Sequence, residues 1–333
     1  MTHPIPQTGT PRPLLGTATA ILTAAALTFG AGGPAAAEGG ESAEKQKKIQ
    51  HLQSMAPYRG YLEAHQETQS PRQLLGGPLK VEVHQNEGGV FVALPSKRRL
   101  DPDVFGHPGM PRAFAGTPGI NGVPLGARGE DGGQYTRMKK PTPFGDKFTP
   151  MAGGRLSLVA TDRTATDAGT TRDEVRFEAS WQDADGNTYT VRCCAKVAAH
   201  GVEFPTFGGV VTNHILHGSS RLGTALMPTE FAYVAFWGMG EVRKNGEVLD
   251  KPRLIHGMLT EYVRTGDYKI GFDRQVDPTQ VHFHLMVPPM EPRPKEGVFH
   301  HKAVNTGMGL PNGKTLPFWH VMFENLRIEA DRG

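Results

Sequence analysis

Residues 174–198, EVRFEASWQDADGNTYTVRCCAKVA, decide the fold class. Two strand-like runs, 174–182 and 187–198, flank Asp183-Ala184-Asp185-Gly186, and a turn-forming tetrad between two such runs reads as a β-hairpin. The Asp-rich tetrad resembles the start of a calcium loop but lacks the acidic residue that closes one, so it is a turn. Working outward, 155–160 precedes the hairpin. Further strand candidates follow at 210–216, 231–243, 254–264, 268–272, 280–287 and 317–329, with Asn245-Gly246 marking another turn. Strands at this spacing, without helices between them, predict an all-β chain, an antiparallel β-sandwich of jelly-roll or Ig-like type.

Upstream of these strands the text is less regular. Leu79, Val81 and Val83 alternate with polar residues, Asn86-Glu87-Gly88-Gly89 suggests a turn, and Val90 to Leu94 returns, which predicts a hairpin over 79–94. Residues 95–150 hold 19 Gly or Pro in 56 positions, too many for regular elements. Five aromatic residues, Phe105, Phe114, Tyr135, Phe144 and Phe148, give that stretch something to bury, so it is expected to be an ordered loop covering the core. A short charged helix is expected over 41–56, ended by Pro57.

The first 37 residues contain one basic residue, Arg12, and no acidic one. A run of apolar and small residues over 14–29 leads to Ala35-Ala36-Ala37. A basic start, a short apolar centre and a small-residue ending predict a secretory signal cleaved after Ala37, and with it a periplasmic or secreted protein. The expected organisation is therefore a signal at 1–37, a helical or irregular segment at 38–78, the hairpin and Gly/Pro-rich loop at 79–153, and a β-sandwich at 154–333. No later segment approaches the roughly 20 apolar residues of a spanning helix, so no transmembrane segment is expected in the mature chain. The mature part carries 35 Lys and Arg against 33 Asp and Glu. That balance argues against nucleic acid or a membrane surface as partner.

The strongest chemical signal is a pattern of histidine and methionine. In a strand, residues i and i+2 share a face. Over 280–287, Val281, Phe283, Leu285 and Val287 form a core face, which leaves His282, His284 and Met286 on the other. His256 with Met258, and His320 with Met322 and Glu324, repeat the H-x-M spacing. Random placement of 14 His and 12 Met in 333 positions predicts roughly 0.5 such triplets, each with its pair on one strand face; the chain has three, all on predicted strands. Imidazole and thioether together suit copper, while Glu324 keeps zinc open. His282 and His284 are the primary candidate ligands. His256 or His320 would complete the set, with Met286, Met258 or Met322 as the soft ligand. The plainer reading of each H-x-M is packing, since Met fills core gaps and a half-buried His often bonds a carbonyl.

The remaining histidines carry less. His214 and His217 point to opposite faces of a strand, unless 213–218 turns and brings both to one site. His300-His301 follow a Pro-rich run, and His200 sits at a strand end. Only two cysteines are present, Cys193 and Cys194. Alternation puts Cys193 inward with Tyr189 and Val191, and Cys194 outward beside Arg192 and Lys196, a setting that favours thiolate. The plainer reading is a pair of small strand residues, oxidised to each other or not.

The pattern points to an exported metal-binding protein with a copper-type His/Met site, used for copper handling or for monooxygenase-like oxidative chemistry at an open position. Two other readings stand beside it. One is a non-enzymatic binding or structural module of the cell envelope; the other is a partner subunit of an envelope redox enzyme, with the long loop as docking surface.

Overall fold

The computed structural model describes residues 79–112, 123–131, 134–163, 172–197, 209–220, 222–293 and 298–331. The expected signal over 1–37, the helix over 41–56 and His200 lie outside the described residues. Seventeen strands follow in chain order among these residues: β1 (Leu79–Gln85), β2 (Val90–Ser96), β3 (Gly106–His107), β4 (Met110–Pro111), β5 (Arg128–Asp131), β6 (Gln134–Met138), β7 (Thr142–Asp162), β8 (Glu174–Gln182) and β9 (Thr188–Ala195). Then come β10 (Val210–Leu216), β11 (Glu230–Lys244), β12 (Glu247–Tyr262), β13 (Asp277–Val287), β14 (Met290–Arg293), β15 (Val298–His301), β16 (Trp319–Phe323) and β17 (Arg327–Asp331). The all-β, antiparallel expectation holds. No helix among the described residues is long and apolar enough to cross a membrane.

Eleven strands make one sheet, in the order β17-β1-β7-β2-β16-β13-β12-β11-β9-β8, with β10 on β11 and a further pairing of β7 with β8. That last pairing closes a circuit of hydrogen bonds from β7 round to β8 and back. Two arcs of the circuit meet over an aromatic core. Trp181 of β8 packs on Trp319 and Phe323 of β16 at 4.9 and 6.0 Å between ring centroids, and Phe177 stacks on Phe283 of β13 at 5.6 Å. The hairpin of β8 and β9 forms as expected, with Asp183 Oδ1 accepting from the backbone N–H of Asp185 and Asn187 to hold its turn.

The segment 79–94 behaves differently from the hairpin expected of it. β1 and β2 do not pair with each other; both run antiparallel to β7, Gln85 opposite Leu156 and Val90 opposite Met151. The register with β7 is the same on both sides of residues 86–89, so these four residues interrupt one long strand rather than reverse it. Gln85 explains why. Its buried side chain donates to the carbonyls of Gly89 (3.2 Å) and Glu324, fastening the interruption to a matching break between β16 and β17. The candidate strand at 268–272 reduces to a single bridge between Arg264 and Ile270.

The Gly/Pro-rich stretch carries more regular structure than expected: β3 to β6 lie in it, and its last residues open β7 in the main sheet, while other described parts of it form a cover. Leu100, Val104, Phe105 and Val123 form a small core of their own with Ala225 and Leu226. Arg98, 2% exposed, ties this cover down by donating to the carbonyls of Leu226 (2.8 Å), Ile270 (3.0 Å) and Gly271 (2.7 Å). Asp273 makes a second tie: it accepts from the Thr229 backbone N–H and hydroxyl, both at 2.7 Å, and its own N–H donates to Asp101 (2.7 Å).

Each tie has a measurable consequence. Arg98→Ala leaves three buried carbonyls without a donor and is expected to cost about 3–5 kcal/mol in denaturant unfolding; an unchanged midpoint would show that the cover needs no such tie. Burial raises the Asp273 carboxyl to about 6, against the Thr229 bonds that hold it down. An acid with a raised folded pKa disfavours the fold once ionised. Stability should therefore fall as pH rises from about 4 to about 6, by about 2–3 kcal/mol for this group. Asp273→Asn, which keeps the acceptor, should remove that part of the slope in unfolding measured across this pH range.

Candidate metal centre

On β13, Phe283, Leu285 and Val287 join the main core, which turns His282, His284 and Met286 to the other face, as period two requires. That face is dry because the cover lies over it: His282 is 0% and His284 4% exposed. Antiparallel pairing then inverts the H-x-M spacing from strand to strand. His256 stands opposite Met286 and Met286 opposite His320, while Met258 stands opposite His284 and His284 opposite Met322. The three triplets become two cross-strand rows, His–Met–His and Met–His–Met.

Hydrogen-bond partners fix where the imidazole hydrogens sit. The Pro143 carbonyl can only accept, so His320 Nδ1, 2.8 Å away, carries the hydrogen and His320 Nε2 is bare. His284 Nδ1, 3.1 Å from that bare nitrogen, must donate to it. The remaining His284 nitrogen, Nε2, therefore presents a lone pair. It faces His282 Nε2 at 2.7 Å, an atom that also receives the Val263 backbone N–H at 3.4 Å. The Pro143 carbonyl of β7 thus orients a chain of rings and leaves the His284 Nε2 electron pair facing His282.

A carboxylate closes the group. Glu230 opens β11 with its side chain 0% exposed, and Oε2 lies 4.0 Å from His284 Nε2. Donor atoms of Glu230, His282 and His284 all lie within 4.8 Å of one another. Neither oxygen of Glu230 has a close hydrogen-bond donor, the Thr260 side chain being the neighbour that favours its ionised form. His217 approaches from the far side, its Nε2 4.0 Å from Glu230 Oε1 and 3.3 Å from Met258 Sδ. Its Nδ1 accepts the Thr224 N–H (3.1 Å), so its hydrogen sits on Nε2, pointing at Glu230 and Met258. His217 is delivered there by a left-handed turn, φ 62° at His217 and 50° at Gly218. At Gly218 any side chain would meet the Thr229 backbone. This is the turn on which a site role for His217 depended.

The electrostatics follow from burial. Desolvation pushes His282 and His284 well below the ordinary histidine value, with Arg264 adding to the shift, and lowers His217 and His320 to about 3 and His256 to about 4. All five rings are neutral at pH 7, the form that ligates metal. The same burial raises Glu230 well above the ordinary range, and the neighbouring Glu261 adds to it. Arg264 supplies the one buried cation among the described residues at this face, bonded to the Tyr268 carbonyl (3.2 Å) and Met322 Sδ (3.2 Å).

The structure thus brings some predicted site residues together and parts others. His282 and His284 converge. His320 touches the group through His284, and Met258 through His217. Met322 is engaged by Arg264. His256 lies apart, stacked on Trp237 at 4.3 Å between centroids, its Nδ1 on the Phe236 carbonyl (2.8 Å) and its Nε2 without a partner. His300 and His301 lie in β15, in a separate two-stranded sheet. Sequence reasoning missed Glu230. Its one signal was a carboxylate at the head of the apolar run Phe231 to Trp237.

Comparison with known proteins finds no match: no family model, no curated protein and no solved structure resembles the chain.

Proposed function

We propose that this chain is a metal-binding protein whose centre is held by Glu230, His282 and His284. The observation that carries the reading is the fully buried Glu230 carboxylate, which faces two neutral imidazoles and has the Thr260 side chain as its hydrogen-bonding neighbour. Leaving an oxygen of such a group without a close donor costs about 1–3 kcal/mol or more. A divalent ion would remove that cost by taking one oxygen and the two imidazole lone pairs. The donor set, two imidazoles and a carboxylate, suits zinc or copper(II). Copper gains from the Met258 thioether, which His217 touches next to Glu230, and it is the metal we favour. The His284–His320–Pro143 chain would orient the ligand from behind, and His217 would donate to the carboxylate. We also propose that the protein works outside the cytoplasm, an assignment supported by the leader-like first 37 residues and by the Cys193–Cys194 disulfide.

One specific observation favours a second reading. The chain from Pro143 of β7 through His320 of β16 to His284 of β13 ties three strands of the sheet together without any metal, as a structural module would use it.

Metal analysis separates the two. The purified full chain, loaded with copper(II) or zinc and desalted, should retain near-stoichiometric metal. Metal at about 100 times its Kd should stabilise the fold by about 2.7 kcal/mol. Glu230→Gln, which imitates the protonated acid and so should fold, and His282→Ala/His284→Ala should both lose the metal. No retention and no shift in melting for either ion would leave the structural reading. Within the metal reading, His320→Ala removes the partner that orients His284. It is expected to weaken binding about 10–100-fold while leaving the stoichiometry at saturation unchanged, as read by titration.

A further inference from the structure

Outside this centre, the sheet has been shaped around its sulfur pair. Cys193 and Cys194 form a disulfide at the end of β9, both half-buried. β11 passes directly beneath. A Cβ at Gly238 would lie 2.5 Å from Cys194 Cβ and 2.8 Å from each sulfur, so only glycine lets the neighbouring strand carry this bond. Two clefts meet at the pair. One, of 290 Å³, is lined by Cys194 with Arg176, Lys196 and Trp237. The other, of 570 Å³, is lined by both cysteines with Arg192 and Lys251.

The charges at the cleft mouths do not cancel. Asp173 is taken up by the backbone N–H of Arg163 and Val210, Glu174 by the Arg163 side chain, Glu241 by Arg243, and Arg192 by Glu178. Arg176 and Lys251 carry no ion pair among the described residues. Lys251 is therefore the uncompensated cation at the larger mouth, while at the smaller one Arg176 stands with the Asp173 carboxylate, both beside a sulfur pair that solvent can reach. Such a setting draws in anions and stabilises a departing thiolate.

We propose that Cys193–Cys194 is a thiol-exchange site for a small anionic thiol, independent of the metal centre. The ligand thiolate attacks Sγ of Cys194, the sulfur open to both clefts. A ligand–Cys194 disulfide forms, the Cys193–Cys194 bond breaks, and Cys193 leaves with the electron pair as thiolate. A second ligand thiolate attacks the ligand sulfur of the mixed disulfide and releases the ligand disulfide and the Cys194 thiolate. Two ligand thiols are thereby oxidised, and the protein pair is reduced by two electrons to the dithiol.

The test uses the folded full chain and two probes, glutathione as the anionic thiol and cysteamine as the cationic one, with the dithiol alkylated and counted by mass spectrometry. Glutathione is expected to reduce the pair on the order of tenfold faster at low salt, an advantage that collapses at high salt and in Arg176→Ser/Lys251→Ser. In the single variants treated with glutathione disulfide, Cys193→Ser should be modified at Cys194 faster than Cys194→Ser is at Cys193. Resistance of the native pair to both thiols until the protein unfolds would overturn the proposal. So would a rate with cysteamine equal to or above that with glutathione, or preferred modification at Cys193.

Discussion

The fold depends on one long register. All 21 residues of β7 lie in a single strand, paired along one edge with β2 and then β1. Because the register is unchanged across residues 86–89, β2 can leave β7 for β16 while β1 leaves it for β17. The other edge of β7 is then free to take β8, and that contact closes the circuit. A slip of one residue along β7 would turn Leu156, Leu158 and Ala160 out of the core. It would also misplace β16, and with it His320 and Met322.

The candidate centre follows from that closure because it lies on the side of the sheet away from the main core. A sheet face carrying His, Met and Glu would ordinarily be left to water. Here the cover, tied by Arg98 and by the Asp101–Asp273–Thr229 chain, makes that face a second interior. The Pro143 carbonyl at the start of β7 sets the hydrogen on His320 and through it the free electron pair on His284. The second residue of the fold's longest strand thus also orients the rings of the candidate centre.

Strand periodicity made much of this legible. Alternation in 280–287 separated core from site, and the repeated H-x-M spacing singled out the three strands that prove to be neighbours. An ordered cover was readable because the Gly/Pro-rich stretch carries aromatic residues with nowhere else to go. Local patterns could not give the long-range pairings. Residues 86–89 look like a reversing turn, and only Gln85 reaching Glu324, 239 positions away, makes them an interruption. Glu230 was hidden for a related reason. A Glu at a strand's first residue usually ends in solvent, and its burial depends on the left-handed turn at His217 and on Asp273 holding Thr229 beside it. His256 shows the converse error of counting by type. It shares the spacing of the others, but its Nδ1 is taken by the Phe236 carbonyl and its ring stacks on Trp237 outside the group of Glu230, His282 and His284.

The formal charges around the group bear on why a buried acid is tolerated there. Glu230 senses Glu261 and Arg264, and Arg264 in turn senses Glu324, which accepts the hydroxyls of Tyr262 (3.0 Å) and Tyr268 (2.9 Å). Asp273 and Asp146 add negative charge and Arg98 positive charge to these groups, in a dry setting where solvent screens little. Ionising Glu230 adds one more negative charge, which is why burial and Glu261 hold its proton on. Exchanging that proton for a divalent cation would put positive charge beside the carboxylate. Five neutral imidazoles and one guanidinium cannot supply that charge, because the guanidinium is already committed to Tyr268 and Met322. On the proposed reading, a divalent ion supplies it at the one buried carboxylate that His282 and His284 face.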